Sequence, residues 1–108
     1  MGAFDAAAYG RPVIMSGFGG QTEFLSSELA HLVKYSMVKT PFRPLEQMEL
    51  GHQWAEPDVD HGAALMRHVF ENRAECRLNA GALAERLCAT YEPDRVAAAM
   101  YATLRKHF

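Results

Sequence analysis

The fold of this chain is set by residues 2–14, which read Gly2-Ala3-Phe4-Asp5-Ala6-Ala7-Ala8-Tyr9-Gly10-Arg11-Pro12-Val13-Ile14. The alanine-rich part predicts a short helix with Asp5 in its first turn. Gly10 can adopt the left-handed conformation that ends a helix, and Pro12 cannot continue one. A short buried strand and then a Gly-Phe-Gly-Gly turn at 17–20 follow. This order of helix, strand and glycine turn is typical of half of a nucleotide-binding α/β unit.

Such a unit normally opens with its own strand and phosphate-binding loop, whereas here the predicted helix starts at Gly2. We therefore expect the chain to be one end of a longer protein, with a sheet that lacks its first strands and exposes an edge. The chain has 108 residues, of which 49% are apolar and 22% are charged. These values are typical of one globular domain.

Charge and hydropathy exclude several classes of partner. A net charge of −2 gives no attractive field for nucleic acid or an anionic membrane surface. No apolar run approaches the roughly 20 residues that span a bilayer, so no transmembrane segment is expected. Cys76 and Cys88 lack the CxxC spacing of metal and redox sites. We expect both to be buried or half-buried free thiols, which indicates the reducing cytoplasm.

Four segments resemble, in order, the motifs of one enzyme family. Residues 5–14 (DAAAYGRPVI) resemble the E-A-M-A-x-G-x-P-V-I signature of group 1 retaining glycosyltransferases. Residues 19–25 (GGQTEFL) resemble the downstream G-G-x-x-E-φ-φ segment of that family, in which φ is apolar. Residues 32–35 (LVKY) and 54–61 (WAEPDVDH) are similar to a subgroup in which a strand is followed by a long loop and W-A-E-P-D-x-x-H.

The resemblance implies the GT-B fold, in which two Rossmann-like domains face each other across a cleft. Residues 1–108 would be a single truncated nucleotide-sugar-binding domain, a partial Rossmann-like C-terminal half with a helix-rich second half. The family transfers a sugar from a nucleotide-sugar donor to an acceptor with retention of configuration, and it requires no metal or other cofactor. By this resemblance, we expect the N-terminal acceptor domain to lie outside these residues. We therefore expect no catalytic residue in this chain and no activity from it in isolation.

By this resemblance, Asp5 matches the acid that binds the ribose hydroxyls of the donor. A carboxylate suits that role because its two oxygens can accept hydrogen bonds from both O–H groups of a cis-diol. The family has another acid near the donor sugar, and its position would fall before Met1. At the ribose-binding position the family usually has glutamate, whereas this chain has the shorter aspartate, Asp5. The alternative is that Asp5 only complements the helix dipole, which contributes about 0.3–1 kcal/mol.

Four small residues complete the expected substrate-binding set. Gly2 and Ala3 would border the diphosphate, because the unpaired N–H groups of a helix N-terminus attract anions. Gly19 and Gly20 follow the carboxyl end of a strand, where ligands bind in open α/β folds. They either allow a ligand to approach the backbone or make a tight turn. We predict that Gly19 or Gly20 adopts a positive φ.

The rest of the chain is predicted as short extended segments followed by helices. Strands are expected at 13–15 and within 30–39, a helical turn at 21–25, and an irregular loop over 40–56 with no strand after Lys39. Helices are expected from an Asp58 N-cap to about 72, over about 74–89, and from 93 onward. Their apolar stripes are Val59, Ala63, Met66, Val69 and Phe70, then Cys76, Ala80, Leu83 and Leu87, then Val96, Met100 and Leu104.

The histidines are not expected to bind a metal. His61 and His68 lie too far apart for an i, i+4 pair, and His31, His52 and His107 are scattered. We expect His61 to be a surface or loop-packing residue.

Trp54 either stacks on a sugar or holds the predicted loop against the domain, and the second is favoured. A different class of function also remains open. The chain would then be a stand-alone interaction module or a non-catalytic remnant, its exposed face covered by self-association.

Overall fold

The computed structural model describes residues 2–39 and 53–108. These residues form a mixed α/β structure whose second half is rich in helices. In chain order the elements are α1 (Gly2–Ala8), β1 (Ile14–Ser16), a 3-10 helix (Gly20–Glu23), β2 (His31–Val33), β3 (Tyr35–Lys39), β4 (Gln53–Pro57), α2 (Val59–Glu71), α3 (Arg73–Thr90) and α4 (Pro93–His107).

Helix α1 ends as its sequence predicts. Gly10 has φ +67°, in the left-handed region. Its N–H donates to the carbonyl of Ala7 at 3.0 Å, and the N–H of Arg11 donates to the carbonyl of Ala6 at 2.9 Å. These two bonds form the Schellman closure, which satisfies carbonyls that the helix end would leave unpaired. The chain then continues into β1.

The strands form two small sheets. Strands β1 and β2 are parallel, with Ile14 opposite His31 and Ser16 opposite Val33. Strands β3 and β4 are antiparallel, with β3 starting opposite Pro57. Within residues 2–39 and 53–108, each sheet has two strands, so every strand keeps one unpaired edge.

Strand β4 corrects the prediction of irregular chain up to residue 56. Its sequence, QWAEP, contains glutamate and proline, which are uncommon in strands. Antiparallel pairing with β3 supplies the hydrogen bonds that make it a strand, and Pro57 is tolerated at its last position. Trp54 therefore lies on a strand, opposite Val38. Residues 40–52 of the predicted loop lie outside the described residues.

The core lies between α1, α3 and the parallel strands. Its buried cluster consists of Ala7, Val13, Leu25, Ala30, Leu83 and Leu87. Helix α3 buries the face that its sequence predicts, formed by Cys76, Ala80, Leu83 and Leu87. A β carbon on Gly10 would lie 4.0 Å from the α carbon of Gly81, so the end of α1 approaches α3 closely. Burial of each leucine contributes about 1.5–3 kcal/mol.

The predicted apolar stripe of α2 is not the face on which this helix packs. Val59, Met66 and Phe70 are exposed, and in the part of the chain that the structure describes α2 has no fully buried residue. The helix instead packs through Gly62, where an added β carbon would lie 3.8 Å from Val33 Cγ1. Asp58 is the N-cap, as predicted, and its Oδ1 accepts from the N–H of His61.

The two cysteines differ in their environment. Cys76 is buried and Cys88 is exposed, and both are free thiols. The prediction that both are at least half-buried is therefore wrong for Cys88. The cause is its position directly after Leu87, which occupies the buried face of α3.

Helix α4 projects from the rest of the molecule. It begins at Pro93 as predicted, and within the described residues none of its side chains is buried. The radius of gyration is 17.6 Å, whereas a compact domain of this size has about 13 Å. None of the helices described is long and apolar enough to span a membrane.

The contact between α1 and α3 predicts where the fold is most sensitive. Leu83 is 1% exposed, and Leu83→Ala should lower the free energy of unfolding by about 2–5 kcal/mol because it leaves a cavity. Leu78 on the same helix is 76% exposed, so Leu78→Ala should change the free energy of unfolding by less than about 0.5 kcal/mol. Denaturant unfolding of both variants checks this, and equal losses would contradict the assigned core.

Candidate functional site

The candidate site lies at the carboxyl end of the parallel strands, where β1 runs into the glycine turn. The N–H of Gly17 donates to the carbonyl of Val33 at 2.9 Å, which extends the ladder between β1 and β2 by one residue. The side-chain amide of Gln21 donates to the carbonyl of Ser16 at 3.1 Å. Thr22 donates to the carbonyl of Gly19 through its N–H at 3.1 Å and its hydroxyl at 2.8 Å. The turn is thus fixed by its own hydrogen bonds.

Gly19 has the positive φ that was predicted for this turn. Its φ is +88° and its ψ is −163°, a region that is essentially restricted to glycine. Gly20 begins the 3-10 helix, and a β carbon added there would meet nothing within 4 Å. The backbone conformation therefore requires glycine at position 19. At position 20 glycine is not required for this reason, and its lack of a side chain leaves open space beside the backbone.

The first turn of α1 contacts the segment that follows the glycine turn. The ring of Phe4 packs on the ring of Phe24, with centroids 5.3 Å apart, and Phe24 directly follows the 3-10 helix. Asp5 is exposed, so its carboxylate is accessible to solvent. Gly2 is also exposed, and an added β carbon there would meet nothing within 4 Å. The substrate-binding role predicted for these residues stays a prediction.

Ala3 occupies a different environment from its neighbours. It is half-buried and packs against the core cluster, so its small side chain has a packing role. Any contribution of Ala3 to anion binding would therefore come from its backbone N–H rather than from open space at its side chain.

Three further residues at this edge were missed by sequence reasoning. Phe18 follows β1 and Tyr35 follows β2, and their rings contact each other with centroids 5.1 Å apart. The two side chains are 43% and 42% exposed, so their outer faces are accessible to a ligand. Lys34 lies between β2 and β3 and is exposed. The signal was available, because residues that follow parallel strands gather at one edge.

A closed set of three hydrogen bonds holds Lys34 against the start of α2. The N–H of Lys34 donates to Nδ1 of His61 at 3.0 Å, and the N–H of Asp58 donates to the carbonyl of Lys34 at 2.8 Å. The N–H of His61 donates to Oδ1 of Asp58 at 2.9 Å. His61 is therefore a packing residue, as predicted. Because its Nδ1 accepts a hydrogen bond, the proton of the neutral ring is on Nε2.

His31 is not isolated, although its position in the sequence suggested so. Its ring packs against the ring of His68, with centroids 5.7 Å apart. Burial lowers the pKa of His31 below the usual 6.5, the nearby His68 lowers it further, and Glu75 opposes both effects. Among residues 2–39 and 53–108, no group of three or more acidic, histidine or cysteine side chains is arranged to hold a metal ion.

The chain matches no model of a protein family, no characterised protein and no solved structure. The carboxyl edge of β1 and β2 combines a glycine turn open to the backbone, two exposed aromatic rings and a lysine, and α1 adds an exposed carboxylate at Asp5. Such a combination suits a ligand with hydroxyl groups, a flat ring and negative charge.

The backbone of the glycine turn can be tested by adding a single methyl group. Gly19→Ala should lower the free energy of unfolding by about 1–3 kcal/mol, because alanine is strained at this φ and ψ. Gly20→Ala is the matched control and should be tolerated, since the added carbon meets open space. Thermal or denaturant unfolding checks both variants. Equal stability of the two variants would show that the turn is not held in this conformation.

The pKa of His31 predicts how stability depends on pH. Because this pKa is lower in the folded chain, the unfolded chain binds more protons near pH 6.5. The stability that comes from keeping His31 neutral is therefore fully present above about pH 6.5. It is lost as the pH falls through the lower pKa that His31 has in the folded chain. Denaturant unfolding of His31→Gln should show a weaker loss of stability in acid than the parent chain. An unchanged acid profile in His31→Gln would contradict this.

Proposed function

We propose that this chain is the donor-binding segment of a retaining glycosyltransferase of the GT-B fold that acts in the cytoplasm. The main observation is that the Gly19 turn lies at the carboxyl end of the parallel strands, and that Phe4 in the first turn of α1 packs on Phe24, which follows this turn in the chain. The carboxyl end of the strands is the place where open α/β folds bind nucleotides. The four motifs that resemble the family, and their order along the chain, support the same reading.

In this proposal each residue of the site binds a different part of a nucleotide-sugar. The carboxylate of Asp5 accepts hydrogen bonds from the two hydroxyl groups of the ribose. The backbone N–H groups of Gly2 and Ala3 face the diphosphate. The ammonium group of Lys34 is attracted by the negative charge of the same diphosphate. The backbone at Gly19 and Gly20 borders the sugar or diphosphate without a side chain in between.

The exposed ring pair extends the proposed site on its apolar side. Phe18 and Tyr35 present ring surface that a nucleobase or the apolar face of a sugar can cover. Aromatic rings make such contacts at a low entropic cost, because they have few rotatable bonds. Neither a metal nor another cofactor is part of the proposal, since the charge of the diphosphate is to be met by N–H groups and basic side chains.

The same proposal limits what the isolated chain can do. Transfer also needs the first acid, most of the phosphate-binding turn and the facing acceptor domain, which are not in these residues. Positioning of two reactants in a closed cleft contributes roughly 7–11 kcal/mol to such reactions. Without it the diphosphate stays in water, where each charge contact is weak. We therefore expect no glycosyl transfer, and nucleotide-sugar binding no tighter than millimolar.

A stand-alone interaction module is the second candidate, and one observation favours it. Helices α2 and α4 present large exposed apolar side chains, including Val59, Met66, Phe70, Met100 and Leu104. Large apolar patches on a protein surface are typical of interaction sites. A binding module and a donor-binding segment use different surfaces of the chain, so the two candidates can be tested separately.

The donor-binding proposal is tested by ligand-observed NMR with UDP-, GDP- and ADP-sugars at millimolar concentration, together with a turnover assay. We expect weak saturation transfer to at least one donor, lost in Asp5→Ala. Asp60→Ala is the matched control, because Asp60 is also an exposed aspartate in the first turn of a helix. Retention of binding in Asp5→Ala, or no binding of any donor, would contradict the proposal. Any turnover would contradict the incomplete-domain interpretation.

A further inference from the structure

Helix α4 carries an uncovered apolar stripe. Val96, Met100 and Leu104 are spaced by four residues and are 38%, 61% and 53% exposed. Together with Thr90, Tyr91, Arg95, Ala99 and Thr103 they line an open groove of ≈ 780 Å³. In the described part of the chain, no side chain of α4 is buried. The helix thus has a continuous apolar face without the packing that usually stabilises such a face.

The charges of α4 are separated along its axis. Its N-terminal end holds two acidic residues, Glu92 and Asp94, and one basic residue, Arg95, whereas its last turn holds the basic residues Arg105, Lys106 and His107. Except for Arg95, these residues have the sign that their end of the helix dipole favours. A second, identical helix alongside would bring ends of like net charge together if it ran parallel and ends of opposite net charge together if it ran antiparallel. Charge therefore selects the antiparallel arrangement.

We infer that the α4 stripe, formed by Val96, Met100 and Leu104, pairs antiparallel with the α4 stripe of a second copy of this chain. A twofold interface requires a surface that is complementary to itself. The stripe meets this requirement, because Val96 and Leu104 are each four residues from Met100. With the axis at Met100, Val96 of one copy lies opposite Leu104 of the other, and the two Met100 side chains meet.

The ends of the pair bring opposite charges together on both sides of the axis. Measured from Met100, Glu92 is eight residues before and Lys106 six residues after, so the two lie at similar heights in the antiparallel pair. On a helical wheel of 100° per residue, both fall on the same flank of the stripe. Each dimer would therefore contain two Glu92–Lys106 pairs at the rim of its apolar centre. Such rim pairs fix orientation more than they add affinity.

This surface is separate from the proposed donor site. None of Asp5, Gly19 or Lys34 belongs to α4 or to its groove. The dimer therefore neither requires nor excludes nucleotide-sugar binding, and the two proposals can fail independently.

Sedimentation velocity of the full chain over a series of concentrations tests the interface. We expect a concentration-dependent dimer, and Met100→Glu should weaken it by about a hundredfold, because the twofold axis places both altered side chains at the centre. Met66→Glu is the matched control, since Met66 on α2 is 65% exposed against 61% for Met100. It should leave the dimer unchanged, and circular dichroism should show equal helix content in both variants.

A charge swap tests the orientation. Lys106→Glu and Glu92→Lys should each weaken the dimer by about fivefold, because each places like charges together twice. The double variant should restore the dimer, since it only exchanges the two partners. A monomer at every concentration, a dimer lost in Met66→Glu but kept in Met100→Glu, or a double variant weaker than either single one would overturn the inference.

Discussion

The left-handed turn at Gly10 is the constraint on which the rest of the structure depends. It ends α1 with two hydrogen bonds and turns the chain towards β1. Phe4 in the first turn of α1 packs on Phe24, which follows the 3-10 helix after β1. The same turn lets Ala7 pack against Leu83 and Leu87 of α3, which closes the core. The candidate site and the core thus follow from one glycine.

The second left-handed glycine, Gly19, performs a different task at the other end of β1. It turns the chain before the 3-10 helix and leaves backbone uncovered at the strand edge. Phe18, Lys34 and Tyr35 reach this edge because β1 and β2 are parallel. In the proposed function, these groups and the exposed carboxylate of Asp5 on α1 bind a nucleotide-sugar.

Sequence alone predicted the parts of the fold that depend on local chemistry. The glycine and proline that end α1, the Asp58 N-cap and the buried face of α3 are each encoded within a few residues. Strand β4 and the contact between His31 and His68 depend on pairing between distant segments, which no local pattern reveals. The packing face of α2 was misjudged for the same reason, because Gly62 packs on Val33 while larger apolar residues stay exposed.

Amide chemical-shift mapping in the presence of a nucleotide-sugar tests most directly whether the strand edge is a donor site. A two-dimensional ¹⁵N spectrum reports on each backbone N–H separately, so it locates even a weakly bound ligand. Binding at the proposed site should shift the amides of residues 17–21, together with those of Asp5 and Lys34, and leave those of α4 unchanged. Shifts confined to α3 and α4, or no shift at any amide at millimolar donor, would contradict the assignment of this edge to nucleotide-sugar binding.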